Sequence, residues 1–290
     1  MSGCFYIREQ ELAPTSTAAR YYVVDEYEGA MGFDGAEGVV ADWSVAPPSD
    51  ATSLVISTTY ARTGVFECLR AYPGNVTELR VDITCLSDSF FDLLRTTPSL
   101  RSVDLLFFSG NMRDVLCAVN ANPGITALTL RRVVAGLATR ELIEMPGIET
   151  LCIGFREKET PDHNDLYSLY SMMRGAEEER GYFDTILAQF TGLVSLVIRG
   201  ARARACACSF ASFDRVPTLR SVEGIVVGAT TWRAFCAWIR DTRLETVSFT
   251  ADAEEEEGWA DDCVAAAQAN PGLLSVVADG NVIVDRILLK

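Results

Sequence analysis

A short pattern of aliphatic residues recurs along most of this 290-residue chain. Each copy has an aliphatic residue, two spacers, a second aliphatic residue, one spacer and usually a third, as in PGITALTL at 123–130. We call the second aliphatic residue the anchor. The nine anchors are Leu54, Leu79, Val103, Leu128, Leu151, Leu196, Val222, Val247 and Val276. Self-similarity at a fixed period indicates a repeat architecture, which constrains the fold more strongly than any single motif.

The spacing between anchors is nearly constant. Successive anchors lie 25, 24, 25, 23, 45, 26, 25 and 29 residues apart. The value of 45 corresponds to one repeat plus about 20 extra residues, and extra residues in repeat proteins emerge as loops on one face. We therefore predict an insertion at 156–182 and no loss of register.

Each repeat has room for one strand and one helix. An anchor and the residue two places later, such as Leu128 and Leu130, show the period of a strand with one buried face. Between the strands, apolar residues follow helical spacing, as in Val115, Leu116 and Val119. One such unit cannot bury its apolar face alone. We therefore predict that the repeats share one core, with a parallel sheet on one side and helices on the other.

The repeats resemble the leucine-rich repeat family, in particular the helix-bearing repeats of the ribonuclease-inhibitor type, over residues 51–290. The resemblance implies an α/β leucine-rich-repeat-like solenoid, with a parallel sheet on its concave side and helices on its convex side. The family also places Asn or Cys three residues beyond the second strand leucine. Here that column holds Thr84, Phe108, Val133, Arg156, Ala201, Val227, Asp252 and Asn281. Only the last copy matches, so the asparagine ladder is missing and we expect a divergent solenoid.

The first 50 residues do not follow the repeat. The segments 19–27 and 38–45 have the composition of short strands. Because the open end of a repeat stack must be hidden from water, we predict that residues 1–50 form an N-terminal cap on a solenoid at 51–290. The segment 280–290 is predicted to close the other end as an amphipathic strand or helix.

The charge balance disfavours nucleic acid as a partner. Forty Asp and Glu against 25 Lys and Arg give a net charge of −15, which would repel a phosphate backbone. The N-terminal residues lack the pattern of a secretory signal, and no apolar run is long enough to span a bilayer. Nine cysteines without an export signal are typical of reduced thiols. We therefore expect an acidic intracellular protein, cytoplasmic or nuclear, with no nucleic-acid or membrane partner.

Candidate catalytic and metal-binding residues are few. The single histidine, His163, lies between Asp162 and Asp165, and the phosphate-loop, nucleophile-elbow and zinc-helix motifs are missing from the sequence. Cys206 and Cys208 form one C-x-C without the second pair that a zinc site needs. We therefore predict no enzyme activity, cofactor, metal or small-molecule substrate. The alternative is a metal-dependent enzyme or regulator centred on His163 and Cys206/Cys208.

Three other cysteines share one position in the repeat. Cys68, Cys117 and Cys236 each lie 11 residues before the next anchor, on the helical side of the unit. A thiol behaves there as a small apolar group. We predict that all three pack against the sheet.

The residues that flank each anchor should point away from the core, because side chains alternate along a strand. Arginines at these positions suit the carboxylates of a partner, and aliphatic residues supply apolar contact. The predicted insertion adds a cluster of aromatic and methionine side chains, which suits an adaptable contact surface. The predicted partner-binding residues are Arg80, Leu106, Arg131, Val197, Arg199 and Ile225 on the strands, with Tyr167 and Tyr170 in the insertion.

These features predict a non-catalytic protein–protein interaction module. Its concave sheet face and the 156–182 insertion would hold a protein or peptide partner. A substrate-recognition subunit of a ubiquitin ligase is an alternative that the resemblance permits, although the N-terminal residues lack the Leu-Pro opening and helical pattern of an F-box.

Overall fold

A computed structural model describes the chain over twelve ranges. They are 5–7, 20–25, 39–41, 53–58, 76–83, 88–106, 112–133, 143–155, 186–199, 210–228, 231–252 and 258–286. The chain divides into two compact units, Met1–Arg131 (unit 1) and Arg132–Lys290 (unit 2). Each unit combines a mostly parallel sheet with a small number of helices. The predicted α/β class with a parallel sheet is therefore confirmed.

The sheet of unit 1 has strand order β7-β6-β5-β4-β2-β1-β3. Its described elements are β1 (Phe5–Ile7), β2 (Arg20–Asp25), β3 (Val39–Ala41), β4 (Ser53–Thr58), β5 (Glu78–Ile83), α1 (Asp88–Thr96), β6 (Ser102–Leu106), α2 (Met112–Asn120) and β7 (Ala127–Val133). Strands β2, β4, β5, β6 and β7 are parallel neighbours. Strand β1 pairs antiparallel with both β2 and β3. Strands β2 and β3 lie inside the two segments predicted as strands, β1 was not predicted, and the cap assignment of residues 1–50 stays a prediction.

The sheet of unit 2 has strand order β13-β12-β11-β10-β9-β8. Its described elements are β8 (Thr150–Phe155), β9 (Ser195–Arg199), α3 (Phe210–Asp214), β10 (Ser221–Gly228), α4 (Trp232–Asp241), β11 (Thr246–Asp252), α5 (Trp259–Ala269), β12 (Ser275–Ala278) and β13 (Asn281–Asp285). Strands β8 to β12 are parallel neighbours. Strand β13 turns back antiparallel to β12, so the predicted C-terminal segment contains a strand.

The anchors of neighbouring strands are direct partners. In unit 1, Leu54 pairs with Leu79, Leu79 with Val103, and Val103 with Leu128. The same holds through unit 2 from Leu151 to Leu196, Val222, Val247 and Val276. The anchors from Leu79 onward are all 3% exposed or less. The predicted register is therefore confirmed within each unit.

The 45-residue spacing joins two strands that are direct neighbours. Leu151 on β8 pairs with Leu196 on β9, so the extra residues between them leave the register intact. This pairing agrees with an insertion between the two strands. The predicted insertion at 156–182 lies outside the described residues.

The helices bury one face against the sheet. In α4 the buried residues are Trp232, Phe235, Cys236, Trp238 and Ile239, at the spacing of one helical face. Burying each such apolar side chain contributes about 1.5–3 kcal/mol. Within the described ranges, the helices are too short or too polar to cross a membrane.

Cys117 corrects the prediction for the helical cysteines. Helix α2 buries Val115, Leu116, Ala118 and Val119, which places Cys117 on the exposed face. Cys236, the same distance from its anchor, is buried in α4. The prediction was wrong for Cys117 because the buried face of α2 lies one residue further from its following anchor than the buried face of α4 does. Cys68 lies outside the described residues.

A backbone hydrogen-bond motif joins successive repeats. At six positions, the carbonyl two residues before an anchor accepts two N–H groups from the next repeat, at 2.7–3.1 Å. The accepting carbonyls are those of Thr77, Arg101, Glu149, Val194, Arg220 and Glu245. Each repeat is thereby tied to its neighbour at the start of its strand.

Buried asparagines make a second link between repeats. Asn122 and Asn270 each lie six residues before an anchor, in the sequence A-N-P-G, and are 4% and 6% exposed. Asn122 Nδ2 donates to the carbonyls of Leu94 (2.7 Å) and Thr97 (2.8 Å) in the preceding repeat. Both of these side-chain links between repeats therefore lie where the chain returns from helix to strand. In β10, the position where the leucine-rich repeat family has its asparagine holds the buried Val227.

Candidate binding surface on the strands

The strands have an outer face made by the residues on either side of the anchors. Along β9, Leu196 and Ile198 are buried whereas Ser195, Val197 and Arg199 are at least partly exposed. Strand β12 repeats this alternation. The side chains of the outer face therefore follow directly from the pleat of the strands.

The first row of the outer face in unit 2 consists of hydroxyl side chains. Five residues, each one place before an anchor, are paired in register: Thr150, Ser195, Ser221, Thr246 and Ser275. Thr246 Oγ1 donates to Ser221 Oγ at 2.7 Å. Because each hydroxyl both donates and accepts hydrogen bonds, the row offers polar contacts close to the strand backbones.

A second row lies one place after the anchors. Val197 on β9 pairs with Cys152 on one side and with Glu223 on the other. Val197 and Cys152 are half-buried and Glu223 is exposed. Val197 thus lies on the outer face, as predicted, between a thiol and a carboxylate.

Arg199 is the exposed arginine of this surface. It ends β9 and pairs in register with Gly154, which has no side chain to cover it. Among the described residues, none forms an ion pair with Arg199. Its guanidinium is therefore well placed to bind a carboxylate from another molecule.

Arg131 in unit 1 is different because it already has an anionic neighbour. Its Nε donates to Asp104 Oδ1 at 2.6 Å, and the two side chains are 24% and 28% exposed. Arg80 pairs in register with Asp104 and is half-buried. Leu106 lies at the end of β6 in register with Arg131. The structure therefore brings these predicted residues onto neighbouring strands, with Arg131 bound within the sheet.

Ile225 corrects the predicted surface. Its side chain is 0% exposed and its residue pairs with Phe249, which is also buried. Strand β10 contains a bulge between Val222 and Ile225, where one extra residue shifts the alternation. The prediction was wrong because counting outward from the anchor assumes an unbroken strand.

Gly224 is the cause of this bulge. It has a φ of +82°, and a Cβ there would lie 1.9 Å from the carbonyl oxygen of Ile198. Only glycine accepts both the left-handed backbone and this close approach. A glycine inside a strand often marks a bulge, so the sequence did carry a signal for it.

Two buried thiols lie in the helices of unit 2. Burial raises the pKa of Cys236 to about 11, with a further increase from the Asp262 carboxylate and a partial offset from Arg240. The pKa of Cys263 is raised to about 12, mainly by burial and to a smaller extent by the neighbouring Cys236. Both groups are therefore neutral thiols near pH 7 and poor nucleophiles.

Several predicted residues cannot be compared with the structure. Tyr167, Tyr170, His163, Cys206 and Cys208 all lie outside the described residues. In the described part of the chain, no three His, Cys, Asp or Glu side chains come together as a metal ion would require. The metal-dependent alternative and the ubiquitin-ligase alternative stay predictions.

Comparison with known proteins identifies several solved structures, including one of low sequence identity. No protein-family model matches the chain, and no curated protein matches it. A crystal structure of a protein from Bacteroides fragilis is similar over 80% of this chain, with 11% sequence identity and a TM-score of 0.41. The match covers 66% of that protein, slightly less than two thirds of its length.

Proposed function

We propose that this chain is a divergent leucine-rich-repeat-like solenoid that acts as a non-catalytic protein-binding module. The observation that carries the proposal is the outer face of unit 2, where side chains of five parallel strands stand in register. At a strand spacing of about 4.8 Å, five strands span about 19 Å, which suits an extended peptide or part of a protein surface. The aligned anchors within each unit support the repeat assignment.

The chemistry of this face favours a partner with both polar and charged groups. The hydroxyl row can satisfy backbone N–H and C=O groups of a partner chain. Arg199 supplies a cation and Glu223 an anion, and both are exposed. Val197 adds an apolar contact between them. Complementary charges of this kind set the partner's orientation and specificity more than its affinity.

The arginines of the two units should differ in how readily they bind a carboxylate of a partner. Arg131 is already bound to Asp104, so it must exchange one carboxylate for another when a partner binds. Arg199 needs no such exchange with a described residue. We therefore assign the anionic contact of the partner to Arg199.

The test is affinity purification with the wild-type chain and matched variants, followed by identification of the retained proteins. Arg199→Glu and Val197→Asp change the outer face of β9. Arg233→Glu is the control, because Arg233 is exposed on helix α4. Deletion of 157–181 tests the insertion. Circular dichroism confirms that each variant is folded before it is used.

The proposal predicts that the β9 variants lose a specific protein that the wild type and Arg233→Glu retain. If folded β9 variants keep every partner, the outer face of unit 2 is not the binding surface. If the deletion alone loses the partner, the insertion is the recognition element. If the wild type retains no specific protein, the binding function itself is wrong.

A further inference from the structure

The last repeat of unit 2 contains carbonyl groups equivalent to those that the repeat of Val103 presents to its neighbour. In unit 1, Asn122 binds the carbonyls of Leu94 and Thr97, which lie nine and six residues before the anchor Val103. The corresponding carbonyls of the last repeat belong to Ala267 and Asn270, nine and six residues before Val276. They mark the end of helix α5 and the start of its return to the sheet.

Arg286 occupies these acceptors. Its Nη2 donates to the carbonyl of Ala267 at 3.3 Å and its Nη1 to the carbonyl of Asn270 at 2.7 Å. The same guanidinium also reaches the carbonyls of Gln268 (3.1 Å) and Leu273 (3.3 Å). A guanidinium has five N–H donors, so one side chain can serve several carbonyls.

The backbone of Arg286 completes the pattern. Leu274 lies two residues before the anchor, at the position whose carbonyl accepts N–H groups from the following repeat elsewhere in the chain. Here the Leu274 carbonyl accepts the N–H of Arg286 at 2.7 Å. Arg286 therefore makes the side-chain hydrogen bonds, and one of the two backbone hydrogen bonds, that a following repeat would make.

Strand β13 needs this attachment because it buries little of its own surface. Asn281 and Val282 are exposed, Val282 by 59%, and its other residues are only half-buried. The turn that reverses the chain consists of Asp279 and Gly280, both with positive φ. Asp279 Oδ1 accepts the N–H of Ala251 at 3.1 Å, which fixes the turn to β11.

We propose that Arg286 is the closing residue of unit 2, which takes the place of a next repeat and keeps the last helix–strand unit from fraying. The last carbonyls of a helix have no partner within the helix, and a cation near them is also favoured by the helix dipole. Terminal repeats of a stacked array need such a cap because they have a neighbour on one side only. This role is independent of what the outer face binds.

Hydrogen exchange measured by mass spectrometry tests the proposal, with Arg286→Ala, Arg286→Lys and the control Arg233→Ala. Arg233 is exposed on α4, so the control removes the same charge without these contacts. Loss of the cap should raise exchange in α5, β12 and β13 by about tenfold, the effect of losing charge-assisted hydrogen bonds worth about 1.4 kcal/mol. Arg286→Lys should give a smaller increase, because lysine has three donors on a single nitrogen.

The location of the change decides the outcome. Exchange that rises in the last repeat and stays constant in β8 and β9 supports the closing role. Equal increases across unit 2 would show a general stabilising residue, and no increase would show that the contacts are dispensable; either result overturns the proposal. If Arg286→Ala does not fold, the same comparison is made between Arg286→Lys and the wild type.

Discussion

Asn122 and Asn270 are 148 residues apart in the chain, and their side chains make the same three kinds of hydrogen bond. In each, Nδ2 donates to two carbonyls of the preceding repeat, at 2.7–2.9 Å. In each, Oδ1 accepts the N–H of the glycine two residues later, at 3.0 Å. The amide is the side chain that can donate twice to a neighbouring repeat while it accepts from its own turn.

Substitution of these asparagines should destabilise the protein strongly. Asn122→Ala or Asn270→Ala removes two hydrogen bonds to carbonyls of the preceding repeat and one from the glycine N–H of its own turn, so we expect a loss of about 2–4 kcal/mol in the free energy of unfolding. Chemical denaturation measures it. Asn120→Ala is the control, since Asn120 is exposed at the end of helix α2, two residues before Asn122. A loss of the same size in the control would show that the buried bonds contribute nothing special.

The bulge in β10 leads to a prediction for its glycines. Gly224→Ala places a methyl group against the Ile198 carbonyl and in an unfavourable φ region, so we expect a loss of about 3 kcal/mol or more. Gly228→Ala is the matched control in the same strand, because no atom lies within 4 Å of its added Cβ. Thermal or chemical unfolding compares the two. Similar stability for both variants would contradict the bulge geometry.

The cysteines should differ in their reactivity. Cys117 is exposed, whereas Cys236 and Cys263 are buried and their pKa values are raised to about 11 and about 12. Labelling of the native protein with a thiol reagent at pH 8, followed by peptide mapping, should modify Cys117 and leave the other two unmodified. Rapid labelling of Cys263 before unfolding would contradict its burial in the folded protein.

The same two thiols predict a loss of stability at high pH. Their pKa values are raised in the folded state, so deprotonation above the ordinary value of 9.0 favours the unfolded chain. Their contribution is fully present below pH 9 and declines as the pH rises through 11. The free energy of unfolding of the wild type should therefore fall more steeply over this range than that of a Cys236→Ala/Cys263→Ala variant. Parallel curves for the two proteins would show that these thiols titrate equally in both states.

The ion pair on the outer face of unit 1 should contribute little to stability. Arg131 and Asp104 are each about one quarter exposed, and pairs near the surface contribute about 1 kcal/mol or less. A double-mutant cycle with Arg131→Ala and Asp104→Ala measures the coupling. A coupling well above this size would mean that the pair organises the sheet, and that Arg131 is not available to a partner.

Some of this fold follows from local sequence. Leu128 and Leu130 alternate with polar neighbours, and that alternation is enough to predict a strand and its buried face. The constant spacing of the anchors predicted their pairing, which the structure confirms from Leu54 to Leu128 and from Leu151 to Val276. Ile225 and Cys117 were assigned to the wrong faces because each position was counted from an anchor through a bulge or a helix of variable offset.

Sequence alone determined the strands that carry the anchors and the register of those anchors, because the alternation of apolar and polar residues depends only on near neighbours in the chain. The tertiary structure decided which polar groups hold the repeats together. Asn122, Asn270 and Arg286 look like ordinary loop residues until the carbonyls they bind are known, and those carbonyls lie 13 to 31 residues away. Hydrogen bonds over such distances depend on how one repeat packs against the next, which no local pattern records.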